Sequence, residues 1–282
     1  MSEQTIKVNG ITIFTESFGN VNDPAILLMM GATASMVWWE EDFCQRLADR
    51  GLYVIRYDSR DVGRSTTYPP GNPEYSFEDM ADDAIHVLDS YGIEQAHIVG
   101  MSMGGMLTQM IALRHPERVL TVTLIATSNF APELPPMEDK VTKFFGQAGA
   151  IDWTNDQSII EFIVGKWRII SGSRHTFDEQ RIHRLAIEEI RRSNNIASMN
   201  NHGLISGGES YLTRTKEITV PTLIIHGTED PIIPYEHGKM LANLIKDADL
   251  FTLNGTGHEL HYNDWDALID VITKHTLRLS KL

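Results

Sequence analysis

The stretch His97-Ile-Val-Gly-Met-Ser102-Met-Gly-Gly-Met106 decides the fold of this chain. The apolar run before Ser102 is typical of a buried strand, and residues 103–114 have apolar side chains at helical spacing. A serine between them, with glycine two residues before and two after, predicts a sharp strand-to-helix turn in which the two elements approach closely. We therefore predict that the Ser102 side chain stands clear of the end of a buried strand.

Segments typical of strands and of helices alternate around this turn. The short apolar runs of buried parallel strands lie at 25–29, 53–57, 97–100 and 121–126. Helices are predicted at 38–49, 77–91 and 103–114. Asn9-Gly10 predicts a hairpin near the amino terminus, and the alternation returns after Pro221. The pattern predicts an α/β protein with a mostly parallel sheet that helices cover on both faces.

Residues 129–217 interrupt this alternation. The segment is helical and more polar, with prolines at its entrance and amphipathic stretches at 157–170 and 178–192. Such a block between two strands predicts an inserted helical cap. We expect three parts in the chain, namely the first part of the core (1–128), the cap (129–217) and the second part of the core (218–282).

The composition excludes several classes of partner. The formal net charge is -14, from 24 lysines and arginines against 38 aspartates and glutamates, which would repel a phosphate backbone. The amino terminus shows neither the basic nor the apolar region of a secretory signal, and no apolar stretch is long enough for a membrane span. We expect a cytoplasmic monomer or homodimer with no nucleic-acid and no membrane partner.

A serine hydroxyl is a poor nucleophile unless a base takes its proton. In this fold class the base follows the last strand, where His258 stands in Asn254-Gly255-Thr256-Gly257-His258. The chain has eleven histidines, but the others lack this position. Four of them lie in helical segments and are predicted to be surface residues: His86, His115, His183 and His275.

The carboxylate that orients the base should follow an earlier strand. Asp230, in Gly227-Thr228-Glu229-Asp230-Pro231, has that place and follows the serine and precedes the histidine in chain order. Glu229 is adjacent, equally ionised and the alternative. Pro231 favours an extended or turn conformation at Asp230, so Asp230 is preferred.

Two backbone amides are predicted to bind the oxyanion that forms during acyl transfer. The Met103 N–H lies at the start of the helix after Ser102, where partial positive charge favours a negative oxygen. The second is the Ala32 N–H, in the loop after the strand at 25–29, where Gly31 allows a tight turn. We call residues 30–35 the oxyanion loop.

Apolar and adaptable side chains are candidates for the substrate pocket under the cap. The residues predicted to line it are Met30, Trp38, Met101 and Trp167. Arg168 could bind a carboxylate, but a solvated arginine on the cap is the preferred interpretation.

Neither a metal site nor thiol chemistry is favoured. His258 and His261 are three residues apart, but no third ligand with suitable spacing accompanies them. Cys44 is the one cysteine, so no disulfide can form within the chain, and its surroundings predict a small core residue on an amphipathic helix. We expect no metal and no cofactor.

Together these motifs resemble the α/β-hydrolase family, over essentially the full length of the chain. The resemblance rests on four stretches: Gly100–Gly104, Asp58–Ser65, His226–Pro231 and Gly257-His258. Within the family the chain looks most like the aclacinomycin methyl esterase group, through residues 24–31, 54–58 and 166–172. Many members carry His-Gly in the oxyanion loop, whereas this chain has Met30-Gly31, and the methyl esterase group also lacks the histidine.

The resemblance implies a serine hydrolase that cleaves a small-molecule carboxylic ester through an acyl-enzyme. The same triad would also suit a lactonase, a thioesterase or a perhydrolase or haloperoxidase-like enzyme. Ser102 argues against epoxide hydrolases and haloalkane dehalogenases, which have an aspartate at the turn. Carbon–carbon bond hydrolases are disfavoured because Glu259 stands beside His258, where an aromatic residue would be expected. A non-catalytic ligand receptor is the less favoured alternative from another class.

Overall fold

A single mixed sheet organises residues 1–278, which are the residues that the computed structural model describes. Its strands are β1 (Ser2–Val8), β2 (Ile11–Phe18), β3 (Ala25–Met29), β4 (Tyr53–Tyr57), β5 (Ala96–Met101), β6 (Val119–Ile125), β7 (Thr222–Gly227) and β8 (Asp249–Leu253). Their order is β1-β2-β4-β3-β5-β6-β7-β8. β2 pairs antiparallel with β1 and β4, and the other neighbours are parallel. The predicted mostly parallel sheet is confirmed.

Helices connect the strands, and most begin and end within two residues of their predicted positions. They are α1 (Glu41–Ala48), α2 (Phe77–Ser90), α3 (Met103–Arg114), α4 (Asp139–Phe145), α5 (Asp156–Ile170), α6 (Glu179–Arg192), α7 (Glu209–Leu212), α8 (Tyr235–Leu244) and α9 (Trp265–Thr276). The largest difference is α1, predicted from residue 38. Residues Met36–Trp38 instead form a separate 3-10 turn, because extended backbone at Glu40, with ψ 150°, interrupts the helical path.

Two apolar cores lie on the two faces of the sheet. The strand period of two sends alternate side chains of β3 to opposite faces. Ile26 and Leu28 pack with residues of α1 and α9, whereas Leu27 and Met29 pack with residues of α2, α3 and α8. Each such buried aliphatic side chain contributes about 2 kcal/mol of hydrophobic free energy. The central strands are therefore held from both sides, and their carboxyl ends carry the loops described below.

The hairpin predicted at Asn9-Gly10 is present between β1 and β2. Both residues have positive φ, 49° and 80°, as a type I′ turn requires. Within residues 1–278, no helix is both long and apolar enough to cross a membrane.

The segment between β6 and β7 contains α4, α5, α6 and α7. It contacts the sheet-bearing part of the chain at several points. Trp167 of α5 stacks on Trp38, with ring centroids 4.3 Å apart, and Arg192 of α6 pairs with the buried Asp58 at 3.3 Å. Helices α5 and α6 also pack against each other. Because Trp38 and Asp58 follow the carboxyl ends of β3 and β4, the segment contacts the loops at that edge of the sheet.

One predicted surface residue is buried. His275 was expected at the surface because α9 carries charged neighbours, and that prediction is wrong. It is 6% exposed, and its Nε2 donates to the Val122 carbonyl at 3.1 Å. The reason is that α9 packs on β6, which turns the His275 side of the helix toward the sheet.

Candidate active site

The backbone at Ser102 adopts a conformation that few residues other than glycine tolerate, with φ 54° and ψ -119°. Ser102 stands between the end of β5 and the start of α3. A Cβ on Gly100 would lie 2.1 Å from the Gly104 oxygen, and one on Gly104 would lie 2.3 Å from the Met29 oxygen. Both glycines are thus needed because strand and helix touch at the turn, which is the close approach that the sequence predicts.

A buried carboxylate contacts the predicted base. Oδ2 of Asp230 accepts a hydrogen bond of 2.7 Å from Nδ1 of His258. Its other oxygen accepts from the amides of Ile232 and Ile233 at 2.9 and 2.8 Å. Burial alone would raise the pKa of Asp230, but the charge of His258 and the hydrogen bonds from His226 and His258 together hold it below its usual range. Asp230 is therefore ionised. Because the proton that His258 donates to it sits on Nδ1, the other ring nitrogen, Nε2, keeps a free lone pair.

The alternative carboxylate points elsewhere. Glu229 is exposed and accepts hydrogen bonds of 2.7 Å from both the amide and the hydroxyl of Ser173. The structure thus brings Asp230, and not Glu229, to His258.

The loop that carries His258 is bound to the end of α5. The His258 amide donates to the Ile170 carbonyl at 2.8 Å. Next to it, Glu259 accepts from the Gly172 amide at 2.8 Å and from the Ser171 hydroxyl at 3.0 Å. The sequence analysis missed these contacts. They fix the position of the His258 backbone, and with it the imidazole, against the end of a helix that is distant in the sequence.

The oxyanion loop lies over Ser102. A Cβ on Gly31 would be 3.0 Å from the Ser102 Cβ, so glycine is needed for this approach. Ala32 and Met103 line one cavity together with Ser102. Met103 is the first residue of α3, where the amide has no acceptor in its own helix. Both predicted amide donors are therefore brought to the serine.

An apolar cavity of about 370 Å³ opens beside Ser102 and His258. Three of the predicted pocket residues line it: Met30, Met101 and Trp167. Trp38 lies behind Trp167, whose ring it stacks on, and lines a smaller neighbouring pocket. Its indole N–H donates to Glu189 at 2.8 Å, so Trp38 supports the cavity wall from outside.

A second apolar cavity, of about 480 Å³, reaches the same serine. It shares Ala32 and Ser102 with the first and extends past Met103 toward Phe130 and Leu134. Space on both sides of the hydroxyl is what an ester needs, because its acyl and alcohol parts leave the reacting carbon in different directions.

A model of the alpha/beta hydrolase fold family matches residues 24–264 of the chain. The chain belongs to the α/β-hydrolase fold family. Rhodomycin D methylesterase DauP of Streptomyces sp. strain C5 is 30% identical, and DnrP of Streptomyces peucetius is 29% identical, each alignment covering 98% of both chains. The resemblance to the methyl esterase group is thereby confirmed.

Solved structures of the α/β-hydrolase fold family superpose well. The enol-lactonase from Burkholderia xenovorans LB400 has a TM-score of 0.77 at 21% identity, covering 96% of this chain and 99% of that one. At this identity the likeness concerns the fold alone.

Two buried charged residues that the sequence analysis missed contact the oxyanion loop. Lys166 and Glu189 are 5% and 1% exposed. Lys166 occupies the apolar face of α5, spaced by three or four residues from Phe162, Ile163 and Ile170. A lysine in that stripe was a signal that the sequence contained, since a charged residue on a buried face is rare unless it is paired or functional.

His258 and His261, the pair that the sequence disfavours as a metal site, contact other side chains: His258 bonds to Asp230. His261 stacks on His175 with ring centroids 4.3 Å apart. Among residues 1–278, no group of three metal-ligating side chains stands close enough together to hold an ion.

Proposed function

We propose that this α/β-hydrolase is a serine esterase that cleaves a small-molecule carboxylic ester through an acyl-enzyme, with Ser102, His258 and Asp230 as its triad. The observation that carries the proposal is the 2.7 Å hydrogen bond from His258 to Asp230, on a histidine that lines the same cavity as Ser102. The relatives named methylesterases support the reaction class.

The reaction begins when Nε2 of His258 takes the proton of the Ser102 hydroxyl as its oxygen attacks the ester carbonyl. The amides of Ala32 and Met103 stabilise the oxyanion, a contribution of about 3 kcal/mol for each donor. The alcohol leaves with the proton from His258. Water, deprotonated by His258, then attacks the acyl-enzyme, and His258 returns that proton to the Ser102 oxygen as the bond between them breaks and the acid is released. Asp230 remains ionised throughout and stabilises the imidazolium.

For the substrate, the proposal specifies a chemical class and no single compound. The names of the two relatives support a methyl ester as the first class to test. Residues 129–217 would act as the cap. Helix α5 of this segment lines the cavity, and the carbonyl of its last residue, Ile170, accepts a hydrogen bond from the His258 amide. The cytoplasmic location and the monomeric or homodimeric state also belong to this proposal, as expectations from the sequence.

Hydrolysis of p-nitrophenyl acetate and butyrate tests the reaction. We expect turnover by the wild type, loss of at least about a thousandfold in kcat for Ser102→Ala, and no loss for the exposed Ser210→Ala. Labelling by a fluorophosphonate probe should follow the same pattern. Wild-type turnover no faster than that of Ser102→Ala would refute the proposal, and a non-catalytic receptor would remain unlabelled.

A panel of lactones, thioesters and peroxide with carboxylic acids separates the sibling reactions. The proposal expects kcat/KM for carboxylic esters to exceed the values for the other substrates. A higher value for any of them would replace ester hydrolysis with that reaction while leaving the triad in place.

A further inference from the structure

One charged side chain faces the substrate space. Of the described residues that line the cavity beside Ser102, Lys166 is the only lysine, arginine, aspartate or glutamate. Most of its neighbours there are apolar, including Phe145, Phe162 and Met199. A cation in such surroundings has lost most of its hydration, which costs several kcal/mol unless acceptors or an opposite charge replace the water.

The protein replaces that water only in part. Nζ of Lys166 donates to the carbonyl and the hydroxyl oxygen of Thr33, at 3.1 and 3.3 Å. An ammonium has three N–H donors. Within residues 1–278, no carboxylate oxygen lies within 4 Å of Nζ. The charge is thus solvated by two neutral oxygens and lacks a direct counter-ion.

Glu189 is the carboxylate whose charge acts on Lys166, and one of its two oxygens is engaged with other donors, whereas Oε1 is buried and has no hydrogen-bond partner among the described residues. Oε2 of Glu189 accepts from the amide and hydroxyl of Ser35, at 3.2 and 2.7 Å, and from the Trp38 indole at 2.8 Å. Glu189 therefore ties α6 to the oxyanion loop, and its attraction for Lys166 acts over a longer distance. Burial raises the pKa of Glu189, and the charge of Lys166 opposes that shift, so the two residues influence each other without forming a contact pair.

Two indole rings near Nζ stabilise the positive charge of Lys166, and one of them carries, within residues 1–278, a free donor for an anionic ligand. The rings of Trp167 and Trp38 have their centroids 5.5 and 5.9 Å from Nζ, distances at which an indole attracts a cation. The Trp167 indole N–H is buried, and the described part of the chain supplies no acceptor for it. The unpaired Trp167 N–H, and an ammonium whose only acceptors among the described residues are on Thr33, suit an oxygen that brings lone pairs and negative charge.

Lys166 is charged under ordinary conditions. Burial lowers the pKa of Lys166 to about 8, and the charge of Glu189 opposes that shift. At neutral pH most molecules thus carry the ammonium.

We propose that Lys166 is a specificity-determining residue that binds an anionic oxygen of the ester substrate, either a carboxylate or an ionised enol or phenol, on the part that fills the cavity beside Ser102. This inference rests on the proposed esterase function. An anionic group supplies the counter-ion that the cavity lacks, and the low local dielectric strengthens the attraction. Because Nζ also donates to Thr33 of the oxyanion loop, the same ammonium would contact both the bound anion and that loop.

Paired substrates test the proposal. Monoesters of p-nitrophenol with dicarboxylic acids of increasing length present a carboxylate, and the matching carboxamides are neutral. A second pair compares an ester that bears a nitro-substituted phenol, which is acidic enough to ionise near neutral pH, with its methyl ether, and this separates the two sources of the anionic oxygen. The quantity compared is the ratio of kcat/KM for the charged ester to kcat/KM for its neutral partner.

In Lys166→Met we expect the best ratio of the series to fall at least about tenfold, mainly through KM, since a lost charge contact of this kind weakens binding by that order. Arg168→Met is the matched control, because Arg168 lies on the same helix, is half exposed and pairs with Glu179. That variant should retain the wild-type ratio. If Lys166→Met slows both partners equally at every chain length, Lys166 serves only to position Thr33 and the proposal is wrong.

Two further measurements keep the test decisive. If Lys166→Met does not fold, the double variant Lys166→Met with Glu189→Gln removes both charges and is compared in its place. Calorimetric binding of the free carboxylates and carboxamides to Ser102→Ala does not depend on turnover. Carboxylates should bind at least about tenfold more tightly, and equal binding would overturn the proposal. Carboxylate binding without any ester turnover would instead refute the esterase proposal alone.

Discussion

Nδ1 of His258 and Oδ2 of Asp230 are 2.7 Å apart, and both side chains are buried. The two amides after Pro231 occupy the other carboxylate oxygen. The aspartate is thereby locked in one rotamer, and the imidazole must present Nε2 on its opposite edge. Such an arrangement maintains the tautomer that a general base needs.

Exchange of this carboxylate for an amide should lower kcat strongly. An asparagine in Asp230→Asn can accept from Nδ1–H or donate to an unprotonated Nδ1, so the tautomer is no longer set, and we expect kcat to fall by about a hundredfold to ten-thousandfold. The control is Glu229→Gln, at an exposed residue bonded to Ser173. Initial rates on p-nitrophenyl butyrate decide between them, and a larger loss for Glu229→Gln would reverse the assignment.

The close approach at the serine turn predicts the effect of a single methyl group. Gly100→Ala would place Cβ 2.1 Å from the Gly104 oxygen, which is backbone and cannot move aside cheaply. We expect a loss of about 2–4 kcal/mol in the free energy of unfolding, together with loss of activity. Gly149→Ala is the control, because within residues 1–278 its added Cβ would meet no atom within 4 Å outside the neighbouring backbone. Urea unfolding measures both, and similar midpoints for the two variants would contradict the prediction.

Buried histidines predict loss of stability in acid. Burial, aided by the charge of His275, lowers the pKa of His97 to about 4, and burial also lowers the pKa of His202 and His275. The unfolded chain then binds protons that the folded chain does not, so stability falls as the pH drops from about 6.5 toward about 4. Each group contributes a slope of about 1 kcal/mol per pH unit.

Urea unfolding between about pH 7 and about pH 4.5 measures this slope. His97→Gln removes one such group, so its stability should fall less steeply than that of the wild type. The exposed His183→Gln should follow the wild-type curve. Equal slopes for His97→Gln and the wild type would show that His97 accepts a proton in the folded protein.

The single cysteine should be inert in the folded protein. Cys44 is 0% exposed, and burial raises the pKa of its thiol to about 12, against the opposing charge of Arg56. Since the thiolate is the reactive form, a disulfide reagent at neutral pH should modify one thiol in denaturant and essentially none without it. Rapid modification of the native protein, at the rate of a free thiol, would mean that α1 opens readily.

Local sequence patterns were sufficient for the serine turn and for much of the element order. Helix α3 occupies 103–114 as predicted, because an apolar strand, two spaced glycines and a helical apolar pattern all lie within one short stretch. His258 and Asp230 could be proposed because chain order in this fold class leaves each of them few competing positions.

Burial and contact between distant residues could not be predicted in the same way. Lys166 and Thr33 meet although 133 positions separate them, and His275 is buried because α9 packs on β6. The difference between Trp38 and Trp167, one behind the cavity wall and one in it, likewise depends on how α5 packs on the oxyanion loop. The apolar stripe around Lys166 marks that residue as unusual, but no local pattern names the partner in any of these contacts.

By itself, therefore, the sequence determined the α/β class, the strained turn at Ser102 and the order of the residues that surround it, since those depend on backbone sterics and short-range periodicity. The tertiary structure alone decided that Asp230 rather than Glu229 faces His258, and that a lysine without a direct counter-ion lies beside the serine. The physical reason is that hydrogen bonds and desolvation act through space, between residues that only the packed chain brings together.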